Sequence, residues 1–193
     1  MPNLRSKLTG FTIVELLIVV VVIAILAAIS LVVYGGMQER AQNAKTVSAV
    51  HEWAQAIKMY KVDNGDYPAI TSCLGANYRR GFSGNEATGG ECRQDTASSG
   101  SFYVNATFMN LMSDYIKDSP TPAFITAGSA SYPYYRGAYF HAGYSGSKDR
   151  IDYVLAGAST QCPAIAGLTN TERTSYAATN SVRCTGRFID SKW

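Results

Sequence analysis

Lys7–Leu16 reads KLTGFTIVEL, and from Phe11 the chain continues as FTIVELLIVVVVIAILAAISLVVY to Tyr34, with polar side chains only at Thr12, Glu15 and Ser30. As an α-helix a stretch of this length spans a hydrocarbon core of about 30 Å, so residues 11–34 read as a transmembrane helix. Arg5 and Lys7 precede it without an acidic neighbour. The positive-inside tendency keeps that end cytoplasmic and sends residues 35–193 outward. Two plainer readings compete. One is a secretory signal peptide cut near Ala28 and Ser30; the other is a simple membrane anchor. Glu15 argues against both. A carboxylate at the bilayer centre costs roughly 2.5–3.5 kcal/mol on insertion scales, somewhat less near the interface, so one retained there marks function and needs a partner.

With 193 residues and 47% hydrophobic content, the chain has room for one globular core plus an attached segment. Of the formal net charge of +3, Arg5 and Lys7 supply two, and the remainder is nearly neutral. The overall basic excess of a nucleic-acid-binding domain is absent. Cys73, Cys92, Cys162 and Cys184 form no CxxC pair, which removes the common zinc and thioredoxin spacings. Disulfides are the alternative, and export past the apolar segment supplies the oxidising compartment they require. Four cysteines allow three connectivities. Cys73 with Cys92 and Cys162 with Cys184 are favoured, because each closes a short local loop.

Beyond Gly35 and Gly36, which weaken a helix locally, residues 37–61 place Ala44, Val47, Val50, Ala54, Ile57 and Tyr60 or Lys61 at three- and four-residue intervals. That period predicts an amphipathic helix continuous with the apolar one. It ends in DNGDYP, Asp63–Pro68, where glycine stops a helix and proline blocks its continuation. Residues 72–101, rich in Gly, Ser and Thr, read as a surface loop stapled by Cys73 and Cys92. A short helix is expected over 107–117, with Phe108, Leu111, Met112 and Tyr115 on one side. Three antiparallel strands are expected at Tyr132–His141, Ile151–Ala158 and Val182–Ile189, giving a sheet within 132–189.

KLTGFTIVEL resembles the class III signal of type IV prepilins, a family that includes the pseudopilins of type II secretion. MYKVDNGDYP, Met59–Pro68, resembles the end of the long helix in the same proteins. The resemblance implies an α+β, pilin-like fold: a long helix, apolar then amphipathic, packed on a small antiparallel sheet, with Cys162 and Cys184 bounding a C-terminal loop. It implies a leader of residues 1–10, removed by prepilin peptidase between Gly10 and Phe11, and N-methylation of Phe11. It further implies that Glu15 pairs with the Phe11 ammonium of an adjoining subunit, which neutralises two buried charges. Val32 stands where many family members carry a helix-kinking proline. The implied partners are membrane lipid before assembly, then copies of itself and other pilins, with the inner-membrane platform and assembly ATPase of a pilus machinery. The implied location is the cytoplasmic membrane, then a surface filament. The reading is a non-enzymatic subunit of a type IV pilus serving adhesion, motility or DNA uptake. A type II secretion pseudopilin and a DNA-binding minor pilin are the alternatives.

No cofactor or metal is expected. His51 and His141 are the only histidines, and neither sits in a catalytic or zinc motif. Asp149 and Asp152 read as solvated loop charges rather than calcium ligands, since no EF-hand pattern surrounds them. Arg79, Arg80 and Arg93 near one bridge, and Arg173, Arg183, Arg187 and Lys192 near the other, would contact DNA only if they converged on one groove with tyrosines for base stacking. The tyrosines at 132, 134, 135, 139 and 144 read more simply as sheet residues. Asn105–Thr107 is a glycosylation sequon read as a chance match.

Overall fold

The computed structural model describes residues 11–76, 78, 91–94, 102–129, 132–143 and 149–189. Two compact units divide the chain at Gln38 and Glu39. Helix α1, Ile13–Asn64, is assigned without a break, Gly35 and Gly36 included. It ends at Asn64 rather than Lys61. Gly65 follows in the left-handed region (φ +83°) and donates its N–H to the Lys61 carbonyl, 2.8 Å.

In the first unit the apolar side chains from Phe11 to Ile29 are exposed, Ile13 by 84%. Among the described residues no helix is long and apolar enough to cross a membrane. Residues 30–34 of the expected span 11–34 have side chains outside the described set.

In the second unit α1 buries a stripe of Thr46, Ala49, Val50, Trp53, Ala54, Ala56 and Ile57. This corrects the expected face in two places: Ala44 is exposed, whereas Trp53, absent from the expected set, lies at its centre with no exposed surface. A stripe centred on residues 46, 50, 53 and 57 keeps the helical period but is turned toward the bulkiest side chain, whose burial contributes most.

The expected three-stranded sheet is two antiparallel sheets. One has the order β1 (Ser72–Cys73), β6 (Ala138–His141), β7 (Arg150–Ala156), β9 (Ser181–Phe188) and β8 (Leu168–Tyr176). The other has the order β3 (Phe102–Tyr103), β2 (Glu91–Gln94), β5 (Tyr132–Arg136) and β4 (Thr126–Ser129). The expected strand Tyr132–His141 is therefore β5 and β6, divided between the sheets at Gly137. The strand ends expected at Ala158 and Ile189 fall at Ala156 and Phe188. The expected loop 72–101 contributes β1 and β2, and residues 77, 79–90 and 95–101 of it lie outside the described residues.

Alternation along each strand assigns the two faces of the five-stranded sheet. Ala138, Phe140, Ile151, Tyr153, Leu155, Val182, Cys184 and Phe188 join the core containing the α1 stripe. Tyr139 and Val154 point the other way, into a second core with Cys73, Tyr78, Cys92, Ala127 and Tyr135. Cys73 is bonded to Cys92 and so ties β1 of one sheet to β2 of the other, while Cys162 is bonded to Cys184 on β9.

Helix α2, Ala106–Met112, is shorter than the expected 107–117. It begins at Asn105, whose Oδ1 accepts the Phe108 N–H at 3.1 Å, so the sequon asparagine is a helix N-cap. It ends at Ser113, whose hydroxyl donates to the Asn110 carbonyl, and Tyr115 and Ile116 fold back onto the Met112 carbonyl. Phe108 and Met112 are buried and Tyr115 meets Tyr60 edge-on, but Leu111 is exposed.

Gly137 is required by two independent constraints. It sits at φ +64°, and a Cβ there would lie 2.6 Å from the Tyr78 hydroxyl. That buried hydroxyl bridges the Leu74 and Ala138 carbonyls at 2.8 and 2.9 Å and accepts the Ala138 N–H. Gly137→Ala is expected to destabilise the fold by about 2 kcal/mol or more, from the left-handed backbone and the displaced ring together. A denaturant midpoint equal to wild type would contradict this.

Candidate functional site

Among the described residues, two groups have the chemistry for interaction. The first is the start of α1. Thr12 precedes the first helical residue, and its N–H and Oγ1–H both reach the Glu15 carboxylate, at 2.8 and 2.7 Å. The Glu15 N–H returns a bond to Thr12 Oγ1 at 3.3 Å. This is a reciprocal capping box, which satisfies amides that the first helical turn leaves open. Sequence reasoning overlooked it, although Thr12-x-x-Glu15 ahead of an apolar run is its signature. The amide used is that of Thr12, so the cap would survive cleavage after Gly10.

Gly10 lies outside the described residues, and Phe11 is 77% exposed. Beyond the cap, the apolar side chains Ile13–Ile29 face outward all round. Such a surface is covered in a working protein, by lipid or by other apolar helices. Chemically this segment can insert and pack.

The second group is the polar part of the sheet face turned away from α1. Asp152, almost fully buried, accepts the Thr185 hydroxyl at 2.6 Å and pairs with Arg150 Nε at 2.9 Å, while Arg183 Nε stands 4.0 Å away. Arg183 lies over the Tyr135 ring at 4.5 Å. Arg93 lies 4.8 Å from the Phe102 centroid and 5.9 Å from that of Tyr135. The fold thus brings together two of the arginines singled out for DNA, one from each bridge. They are committed to aromatic rings and a carboxylate, and Tyr135, itself buried, offers no free face for a base. Arg187 pairs with Glu172 at 3.0 Å, and Arg173 donates to the carbonyls of Ala158 and Thr160. Arg79, Arg80, Lys192 and Tyr144 lie outside the described residues. Asp152 was misread as a loop charge, because a buried ion pair leaves no local pattern in a strand sequence.

The remaining candidates are separated. Asp149 accepts the Gly143 N–H at 2.7 Å, and burial raises its carboxyl pKa. Among the described residues no three His, Cys, Asp or Glu side chains group to hold a metal. His51 meets Gln55 on the helix at 3.2 Å. His141 sits half-buried beside Phe102, and burial, followed by the charge of Arg150, lowers its pKa.

Comparison with known proteins gives one family match: the prokaryotic N-terminal methylation motif covers residues 5–31. The type II secretion system core protein G of Escherichia coli (strain K12) is 39% identical over 69 residues, 36% of this chain and 48% of that protein. The protein of the same name from Vibrio cholerae is 36% identical over 92 residues, 42% of this chain and 62% of the relative. A fimbrial protein of Neisseria meningitidis serogroup A is 32% identical over 66 residues, 34% of this chain and 39% of the relative. The chain thus spans about half the length of the curated relatives it matches. No solved structure matches it. The methylation motif, together with the similarity to these core protein G and fimbrial relatives, supports a type IV pilin-like subunit.

Proposed function

We propose that this chain is a structural subunit of a type IV pilus, made as a single-pass prepilin in the cytoplasmic membrane and cleaved after Gly10 by prepilin peptidase. Phe11 becomes the methylated N-terminus, and the apolar half of α1 leaves lipid to pack among the same segments of other subunits. The inner-membrane platform and motor ATPase of the pilus machinery drive that transfer. The observation that carries the reading is α1 itself: a capped helix start, apolar on all sides to Ile29, that runs on as the helix packed against the two-sheet head. The two halves serve different solvents. Filament assembly buries the first without disturbing the second.

A second reading, a pseudopilin of type II secretion, is favoured by the names of the E. coli and V. cholerae relatives. The four-stranded sheet tied on through Cys73–Cys92 favours the pilus reading, since it adds head surface of the kind a surface fibre presents.

Intact mass and N-terminal sequence of the cell-envelope form test the common part. The expected result is a start at Phe11 carrying one methyl group. A start at Met1, or after Ser30, would remove the prepilin reading. Deletion then separates the two filaments: loss of surface fibres supports the pilus, and loss of a secreted enzyme with no fibres to lose supports the pseudopilin.

A further inference from the structure

Strand β7 is longer than its neighbour β6, because the chain turns away at Gly137 into the other sheet. Val154 still finds a strand partner, donating its N–H to the Gly137 carbonyl at 2.9 Å. Ala156, two residues on, points its N–H and C=O to the same side, where no strand residue pairs with it among the described residues, although the Thr160 hydroxyl also donates to its carbonyl at 2.7 Å. The Asn43 side chain occupies that place. Its Oδ1 accepts the Ala156 N–H at 2.7 Å and its Nδ2 donates to the Ala156 carbonyl at 3.0 Å, so one carboxamide takes the part of a strand residue.

The turn of α1 around Asn43 is held by the same kind of bond. Thr46, fully buried, accepts the Ala123 N–H at 3.1 Å. Asn180, held at φ +43°, donates to Glu39 at 3.3 Å and accepts the Ala158 N–H at 3.1 Å. Just beyond Thr46 the attachment changes character: Val47 packs half-buried against the apolar core, and Ala49, Val50, Trp53, Ala54 and Ile57 are buried. Hydrogen bonds exchanged with water are each worth about 1 kcal/mol net, whereas each large apolar side chain here is worth about 1.5–3 kcal/mol. Segments held mainly by the former belong to the low-stability end of a structure and open by themselves.

We propose that residues 39–46 of α1 form a polar latch, released from the head as a separate step while residues 49–57 stay docked, with Asn43 as the residue that sets the latch. In a filament subunit, any load carried by the helix N-terminal to Gln38 enters the head through this segment, so the latch would yield before the core. That role rests on the filament reading; the latch itself does not.

Hydrogen exchange of the full-length chain in detergent micelles, followed by mass spectrometry, tests it. In the wild type, peptides covering 39–47 and Ala156 are expected to exchange faster than peptides covering 49–57 and 181–188. Asn43→Ala should raise exchange at 39–47 and at Ala156 about tenfold, with less than a twofold change at 49–57. Alanine is the better helix former, so a rise cannot come from helix propensity. Asn43→Asp keeps the acceptor and loses the donor, and should give a smaller rise at the same peptides. If 39–47 exchanges only together with the core, or if Asn43→Ala changes all peptides equally or none, there is no latch. Failure here leaves the prepilin reading standing, because N-terminal sequencing tests that independently.

Discussion

Glu15→Ala is expected to leave the full amount of protein in the membrane fraction while reducing surface filaments at least tenfold. Removing a carboxylate from an apolar segment makes insertion easier, since its presence costs roughly 2.5–3.5 kcal/mol at the bilayer centre. In the isolated chain that carboxylate accepts both donors of Thr12 and closes the helix start. Its proposed partner in the filament is the ammonium of a neighbour's Phe11, and deleting one member of a buried ion pair costs about 3–5 kcal/mol because the other charge is left uncompensated.

Two roles for Glu15, cap and ion pair, are separated by Glu15→Gln, because glutamine also serves in a capping box but carries no charge. If the ion pair is what matters, Gln should fail as Ala does. Normal fibres from Glu15→Gln, counted by electron microscopy, would assign the residue to the cap, and normal fibres from Glu15→Ala would remove it from assembly altogether.

Trp53→Ala is expected to lower head stability by about 3–5 kcal/mol, a large part of the 5–15 kcal/mol available to a typical domain. Trp53 is fully buried, its indole N–H donates to the Pro120 carbonyl at 2.8 Å, and its ring lies 6.0 Å from that of Phe108. The substitution opens a cavity and strands a carbonyl together. Trp53→Phe keeps most of the volume and loses only the hydrogen bond, so it should cost about 1–3 kcal/mol. Denaturation in detergent, followed by far-ultraviolet circular dichroism, reads both. Equal midpoints for Trp53→Ala and wild type would mean that the head is not organised around this side chain. Because apolar residues 11–29 do not depend on Trp53, membrane insertion should be unaffected.

Composition and period made the long helix legible, and the resemblance carried by KLTGFTIVEL supplied the family. Both are local properties of consecutive residues. The burial face of α1 was less legible. Ala44 fits an apolar period as well as Trp53 does, and only the sheet it meets decides between them. The strand Tyr132–His141 looked single because its aromatic residues run past Gly137, and no sequence rule says that a glycine there divides two sheets rather than bending one. Leu168–Tyr176, the sequence LTNTERTSY, was not read as a strand, because it lies along an edge of the sheet and carries few apolar residues.

By itself, then, the sequence determined one long helix, apolar at one end and amphipathic at the other, since that is a matter of which side chains each stretch carries. Only the tertiary structure decided that Asp152 is a buried partner of arginines and that Asn43 stands in for a strand. Each of these polar groups takes its role from a backbone or charge that the fold brings beside it. Asn43 and Ala156 are 113 positions apart in sequence. Hydrogen-bond partners at that separation leave no period and no local motif, because the bond is chosen by where the strands end, not by the residues on either side of it.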